Sequence, residues 1–515
     1  MVSAEGGTGR RALLDALALL ALLVVALLVR LPGLGAPPLD AHHVRQSDTS
    51  SIARVMAREG IDLLRPRIGW AGPSAGTVES ELPLYAAATA AGWKALDAPD
   101  GAVPAWPRAL SVLAWLVGGL AIARSLKRRL PGVPLWAGLG LYALSPLAVV
   151  FSRNVQPDAM AIALLLLGLE RADAAGSQEG RRGLLSLALA AVLVGLAIAS
   201  KGTLAFWLPL LPGLAARRHG LPRLAVAAAT AVAVVLAGAW YAHAHLSLGA
   251  DGASFKIWGA GSGKWGSPRS WFDVGTWQYI IGTGLSHTAT HVGALLAALG
   301  AWEARREPEL RPWLVGLMLG MVAIVFVTGG FALHNYYQLA LVPFGSVLAG
   351  AGAMALWRAT RAQAVPLRAA MIGFVVALAI TSVYQGRLFV DQGRTLDQRI
   401  AVVAASVQAV LPHGVPTLVV DQHPQSLLYA IDQRGYHRQS VTREDVETFE
   451  RWGAIALLIT DRSATWEDEE LLAELERTRA LDAQGGGSKL FRIGVDEDPG
   501  PSADEGPDAP QDPGL

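Results

Sequence analysis

Acids that could take a proton and cations that could receive an anion recur in this chain, each close to an apolar run. "HHVRQSDTSSIARVMAREG" (42–60) carries Arg45, Gln46 and Asp48, and "ESELPLY" carries Glu79 and Glu81. "FSRNVQPDAMAIALL" supplies Arg153 and Asp158, "IASKGTLAFWLP" supplies Lys201, and "FALHNYYQLALVP" supplies His334, Asn335, Tyr336 and Tyr337. A carboxylate titrates near 4, so it is ionised at neutral pH and ready to act as a general base. Lysine, arginine and histidine can neutralise charge that builds up on a departing phosphate. Each residue also has a plainer reading. Asp48 and Ser47 could cap a helix, and Glu79, Glu81 and Asp158 could complement helix dipoles. Lys201 could snorkel, and the tyrosines could form an interfacial belt. Polar groups at membrane depth are costly, which favours the chemical reading where several converge.

The elements that must position these residues are apolar. Of 515 residues 52% are hydrophobic and 17% charged, and the mean hydropathy is +0.37. Apolar segments lie near 12–31, 106–126, 133–151, 157–170, 183–200, 203–216, 223–246, 288–304, 312–331, 337–357 and 366–386. This predicts an α-helical polytopic membrane protein of about eleven spans, since a span of roughly 30 Å needs about 20 apolar residues. Basic clusters at Arg10/Arg11, Arg124–Arg129, Arg181/Arg182, Arg217/Arg218, Arg305/Arg306 and Arg358/Arg361 then fall on one side. The positive-inside tendency makes that side cytoplasmic and puts the protein in an inner (plasma) membrane with a cytoplasmic N-terminus.

Three regions are then expected outside the cytoplasm. The first loop, 32–105, should hold two amphipathic helices along the membrane surface, with Asp48 sharing the face of Ile52 and Val55. A second loop covers 247–287. A small α/β domain should occupy 387–495, with strands at "TLVVD", "AIALLIT" and "KLFRIG" and helices at "DQRIAVVAASVQAVL" and "EDEELLAELERTRAL". The tail 496–515 is acidic and Pro-rich and should be disordered. The net charge of +1 gives no basic surface for nucleic acid, and the lack of cysteine excludes disulfides and thiolate metal sites. No internal repeat and no Gly-rich nucleotide loop is apparent.

On this topology Asp48, Glu81, Asp158, Arg153, Lys201 and His334 converge at the outer membrane surface. No nucleotide sugar is available there, so an activated sugar must arrive on a lipid phosphate. With those residues in hand, the chain resembles the GT-C superfamily of polyprenyl-phosphate-sugar glycosyltransferases. It is most similar to the branch of protein O-mannosyltransferases (family 39) and the lipid A aminoarabinose transferase. The resemblance covers about residues 10–386, which it marks as a GT-C transmembrane catalytic domain (1–386).

"RQSDTSSIARVMAREG" resembles the segment carrying the family's catalytic Asp, which implies Asp48 as base. The family often has Asp-Glu where this chain has Arg45-Gln46, which makes Asp40 the fallback. "SRNVQPDAMAIAL" resembles the family's acidic motif and implies Asp158 as a second catalytic acid. "ESELPLY" resembles the second loop signature, with Glu81 as its acid and Leu82 where the family has Lys; Arg45, Gln46 and Glu81 would form a loop or acceptor site. "ASKGTLAFWLP" and "HNYYQLALVP" imply a donor-phosphate site of Lys201, Arg153, His334, Tyr336 and Tyr337. The implied reaction is inverting transfer of a sugar from a polyprenyl-phosphate donor to an extracytoplasmic hydroxyl on protein, lipid or glycan. No cofactor is required by the pattern, although Asp48 and Glu81 could hold a divalent metal ion. The rival readings are an envelope glycan polymerase or ligase, and a lipid-linked sugar transporter or flippase. A transporter should show inverted repeats and polar residues at the bilayer midplane.

Overall fold

The computed structural model describes residues 5–72, 74, 76–98, 103–129, 133–216, 221–248, 253–255 and 263–494. The expected tail at 496–515, part of the 247–287 loop, and Arg217/Arg218 lie outside the described residues. The chain forms two compact units. One comprises Met1–Leu34, Arg108–Trp240 and Gly259–Arg394; the other comprises Gly35–Pro107, Tyr241–Trp258 and the chain from Thr395 onward.

Every regular element described in the first unit is helical. Among the described residues of the chain, six helices are long and apolar enough to cross a membrane. Several expected spans are interrupted where proline or a helix stop intervenes. The 133–151 segment divides into Val133–Leu144 and Pro146–Phe151, with the Ser145 side chain capping the second piece. The 203–216 segment becomes a 3-10 turn, Gly202–Trp207, and a short helix, Leu210–Ala215, begun by Pro209. The 312–331 segment breaks at Val327 into Arg311–Phe326 and Thr328–Leu333. Helices His291–Glu303 and Val342–Arg361 meet backbone to backbone. A Cβ added to Gly300 would lie 1.8 Å from the Leu348 carbonyl oxygen, and one on Gly352 equally close to that of Leu296. Such small-residue seams are how helices approach closely without a hydrophobic drive between them.

The second unit carries all the described strands. A two-residue strand β1 (Val78–Glu79) pairs in parallel with β2 (Ala253–Ser254). The larger sheet has the order β4-β3-β5-β7-β6 and is built from β3 (Thr417–Val420), β4 (Gly435–Arg438), β5 (Ala456–Thr460), β6 (Ala480–Gly485) and β7 (Ser488–Arg492). β3, β4 and β5 run parallel, while β7 is antiparallel to β5 and β6. Side chains alternate between two cores, as the strand period of two requires. Val419, Leu458 and Leu490 pack with Ile400, Val403, Leu427 and Leu428 on one face. Leu418, Val420, Ile459 and Phe491 pack with Val446, Phe449, Leu471 and Leu475 on the other. Three strands and two helices match the segments read as such in the sequence to within two residues at their starts. Strand β4 and helices Pro424–Ala430 and Arg443–Arg451 were not anticipated. Strand β6 occupies residues that the helix "EDEELLAELERTRAL" was expected to reach, because that helix ends at Thr478.

The first loop differs from expectation in how its helices are covered. Helix His43–Glu59 buries Ile52, Ala53, Met56 and Ala57 against Ile68, Val78, Ala86, Ala90 and Trp93. Ala86, Ala90 and Trp93 belong to the second helix of the loop, Leu84–Ala95. Its apolar side is therefore satisfied by protein, not laid on a membrane. Helix Pro424–Ala430 and the turn after it grip it as well. Arg54 and Arg58 each donate to Asp432 at 2.7 Å, and the His43 Nδ1 lies 2.8 Å from the Ser426 hydroxyl. Burial, with His423 alongside, pushes the His43 imidazole down to about 4, so it is neutral at physiological pH. Glu79 and Glu81 do not serve the dipole of Leu84–Ala95, whose first turn has no acid. Glu79 sits in β1 and Glu81 ahead of the Pro83 cap.

Candidate functional site

The candidate residues are divided between the two units. The second unit carries an unusual run on helix His43–Glu59. Gln46, Ser47, Asp48, Thr49, Ser50 and Ser51 are six consecutive polar residues, all buried. Burying polar groups is expensive unless something is gained. His42 takes a left-handed conformation (φ 55°) to start the helix, and Gly60 (φ 118°) ends it. Asp48 therefore stands in the second turn, away from the helix end, and the capping reading fails for it. Gln46 folds back instead, donating to Asp40 Oδ1 at 2.7 Å and to the Ala41 carbonyl at 2.8 Å, which fixes the first turn.

Asp48 is 8% exposed. Its Oδ1 accepts a hydrogen bond from the Trp70 indole N–H at 2.9 Å, its one side-chain hydrogen bond among the described residues. Burial raises its carboxyl to about 6, against the opposing pull of Arg45 and the Trp70 bond. Such a group sits near the pH at which a base works efficiently. Arg45 is ion-paired with Glu81 and lies over the Phe255 ring, 4.6 Å from its centroid. Glu79 accepts from Ser254 and lies 3.2 Å from His245 Nδ1. Among the described residues no cluster of three or more acids and histidines could hold a metal ion. Asp48 is engaged by Trp70 and Glu81 by Arg45.

In the first unit, Asp158 opens helix Asp158–Ala175 and Lys201 directly follows helix Gly180–Ser200. Both are buried, with Lys201 Nζ 3.3 Å from Asp158 Oδ1. Asp158, implied by the resemblance as a second catalytic acid, is the ion-pair partner of Lys201. The ammonium also faces two aromatic rings, 4.6 Å from the Tyr337 centroid and 5.2 Å from that of Tyr336. His334 lies beside both rings, at 5.3 and 5.5 Å between centroids. The turn Asn335–Leu341 presents these tyrosines after helix Thr328–Leu333 stops at His334. Arg153 is fully buried and donates to the Pro32 carbonyl at 3.1 Å, with Gly33 against its guanidinium. A buried ammonium framed by one acid and two rings can donate to a phosphate oxygen.

Two residues were missed by sequence reasoning. Trp70 had a faint signal, an aromatic donor within the turn-rich "GWAGPSAG". Arg30 had none, because at the end of an apolar run it reads as a flanking charge. In the structure it is fully buried and donates to Ser152 Oγ at 2.6 Å and to the Ala26 and Ala143 carbonyls.

No protein-family model matches the chain, and no curated protein sequence does. Solved structures do. ArnT from Cupriavidus metallidurans bound to undecaprenyl phosphate superposes with a TM-score of 0.59 at 16% identity, covering 94% of this chain and 99% of that one. The same protein in the apo state gives 0.61 at 16% identity, over 94% and 98% of the two chains. The archaeal oligosaccharyltransferase AglB from Archaeoglobus fulgidus, in complex with an inhibitory peptide and a dolichol-phosphate, gives 0.54 at 10% identity, covering 86% and 69%. The fold of this chain is therefore shared with ArnT and AglB.

Proposed function

We propose that this protein is a membrane glycosyltransferase that moves a sugar from a polyprenyl-phosphate donor to a hydroxyl outside the cytoplasm. The observation that carries the reading is Asp48, a buried carboxylate raised to about 6 and held through one oxygen by Trp70. A purely structural carboxylate at this depth would be expected to sit in a full set of hydrogen bonds. In the proposed reaction Asp48 takes the acceptor hydroxyl's proton. The freed oxygen attacks the sugar's anomeric carbon opposite the phosphate, the carbon–oxygen bond to phosphate breaks, and configuration inverts. The lipid phosphate leaves with one more negative charge, and Lys201, Arg153, His334, Tyr336 and Tyr337 are the residues proposed to meet it. Asp158 holds Lys201 in place. Arg45, Gln46 and Glu81 border the base as candidate acceptor contacts. The likeness to a protein crystallised with undecaprenyl phosphate supports a lipid-phosphate donor.

The direct test is transfer of radiolabelled sugar from undecaprenyl-phosphate sugars in membranes of a deletion strain with and without the chain restored. A lipid-linked sugar that accumulates in the deletion strain and is consumed on restoration supports the reading. Movement of lipid-linked sugar across vesicles without a new glycoside would favour a transporter. A base of this kind works ionised, so kcat/KM should fall as pH drops through about 6 and level off above it.

The proposal includes about eleven spanning segments, a cytoplasmic N-terminus, and the first loop and C-terminal α/β region outside. Arg65 and Glu470 are exposed, and the native chain has no cysteine. Arg65→Cys and Glu470→Cys should both react with an impermeant thiol reagent in spheroplasts. Labelling of neither, with an internal control also silent, would show the span count to be wrong.

A further inference from the structure

Trp70 reaches Asp48 from a segment that the C-terminal sheet holds in place. Its two ends run back against each other, with Ile68 N–H donating to the Gly76 carbonyl at 2.8 Å and Val78 N–H to that of Pro66 at 2.9 Å. Gly69 N–H donates to Ser51 Oγ at 3.0 Å, which ties this segment to the Asp48 helix. Its outer end joins strand β4. Gly72 N–H donates to the Gly435 carbonyl at 2.8 Å, and Gly435 N–H to that of Gly69 at 3.0 Å. Gly72 has φ +66°, and a Cβ there would lie 2.4 Å from the Tyr436 ring, so the β4 strand presses directly on this turn. The Trp70 ring itself lies 4.9 Å from that of His437 in β4 and 6.4 Å from that of Phe255.

We propose that Trp70 is a positioning residue for Asp48 and that the C-terminal sheet, through β4, serves to hold Trp70 there. This rests on the reading of Asp48 as the base. A hydrogen bond to one carboxylate oxygen fixes the plane of the group and leaves the other oxygen to take the acceptor's proton. It also favours the ionised form, offsetting part of the effect of burial. The groups that face Asp48 are Arg45 on its own helix and Trp70 from the 66–78 segment. The C-terminal sheet thereby has a part in the chemistry without touching a substrate.

Trp70→Phe keeps the ring and removes the N–H. Its first readout needs no substrate: the melting-temperature difference between Asp48 and Asp48→Asn chains from pH 4 to 8, in native and Trp70→Phe backgrounds. In the native background the Asp48 chain should lose stability relative to the Asn chain as pH rises from about 4 through about 6, since the folded carboxyl is the weaker acid. With Trp70→Phe that midpoint should move up by about one pH unit, the worth of a hydrogen bond to a charged group. The second readout is label transfer from undecaprenyl-phosphate sugar by the full chain in proteoliposomes. The acid limb should move up equally, lowering the rate about tenfold at pH 5 and little at pH 8. His437→Leu, which loosens the ring without touching Asp48, should shift both in the same direction by less, and it carries the test if Trp70→Phe does not fold. An unmoved midpoint and limb, with Asp48→Asn inactive, would return Trp70 to a packing role and leave the base assignment standing. Full activity of Asp48→Asn would overturn the base assignment and the positioning role together.

Discussion

Asp48→Asn should lower sugar transfer by about 10²–10⁴-fold, the usual worth of a positioned general base. The amide keeps the size of the side chain and an oxygen for the Trp70 N–H, so the packing around it is preserved. Stability should move the other way. Holding a carboxyl near 6 when its ordinary value is 3.8 costs the ionised state about 3 kcal/mol. The neutral amide is spared that cost above pH 6, so the variant should melt at an equal or higher temperature at pH 7. A dead enzyme that is no less stable would separate chemistry from scaffolding. Asp40→Asn is the comparison, because Asp40 lies near the start of the same helix and is bound by Gln46. An active Asp48→Asn beside an inactive Asp40→Asn would move the base to Asp40. Activity in both would remove the proposed mechanism.

Lys201→Ala should lower turnover at least tenfold by removing the cation that meets the departing phosphate. It also leaves Asp158 as an uncompensated buried charge, which typically costs about 3–5 kcal/mol. A loss of activity alone would therefore be ambiguous. The double variant Lys201→Met with Asp158→Asn removes both charges and should recover most of the melting temperature. Its turnover should stay at the level of the single variant. Recovery of turnover along with stability would mean that the pair is structural and that the phosphate is met elsewhere.

The parts of this protein visible in its sequence are those where composition or periodicity speaks locally. Every apolar segment proved helical, and strands such as "TLVV" and "ALLIT" announce themselves as short apolar runs rich in β-branched or leucine residues. Strand β4, "GYHR", has no such pattern and exists because its neighbour β3 offers a ladder. The breaks at Pro146 and Pro209 were readable in principle from the prolines, but an apolar average conceals them. At the site, residue types and order pointed to Asp48, Lys201 and the His334–Tyr337 group. Their partners did not follow from spacing. Asp158 meets Lys201 because one helix begins where its neighbour ends, and Trp70 meets Asp48 from a segment bonded to a distant strand. Nor could hydrophobic periodicity distinguish a helix face covered by membrane from one covered by protein, and His43–Glu59 is the latter.

The stitching of the second unit from three separated stretches has a consequence for its biogenesis. The Asp48 helix emerges early in synthesis, yet Asp432, which anchors Arg54 and Arg58, lies 378 residues after Arg54. At about 5–20 residues per second, that wait lasts roughly 20–80 s. During that interval the helix lacks the Asp432 anchor of Arg54 and Arg58 and the strand that supports Trp70. A nascent chain halted before Thr395 should thus retain its apolar helices while residues 35–107 are cut readily by protease, and completion of the sheet should abolish that sensitivity. Late frameshifts and C-terminal truncations would then act at a distance, disarming a carboxylate encoded near the start of the gene.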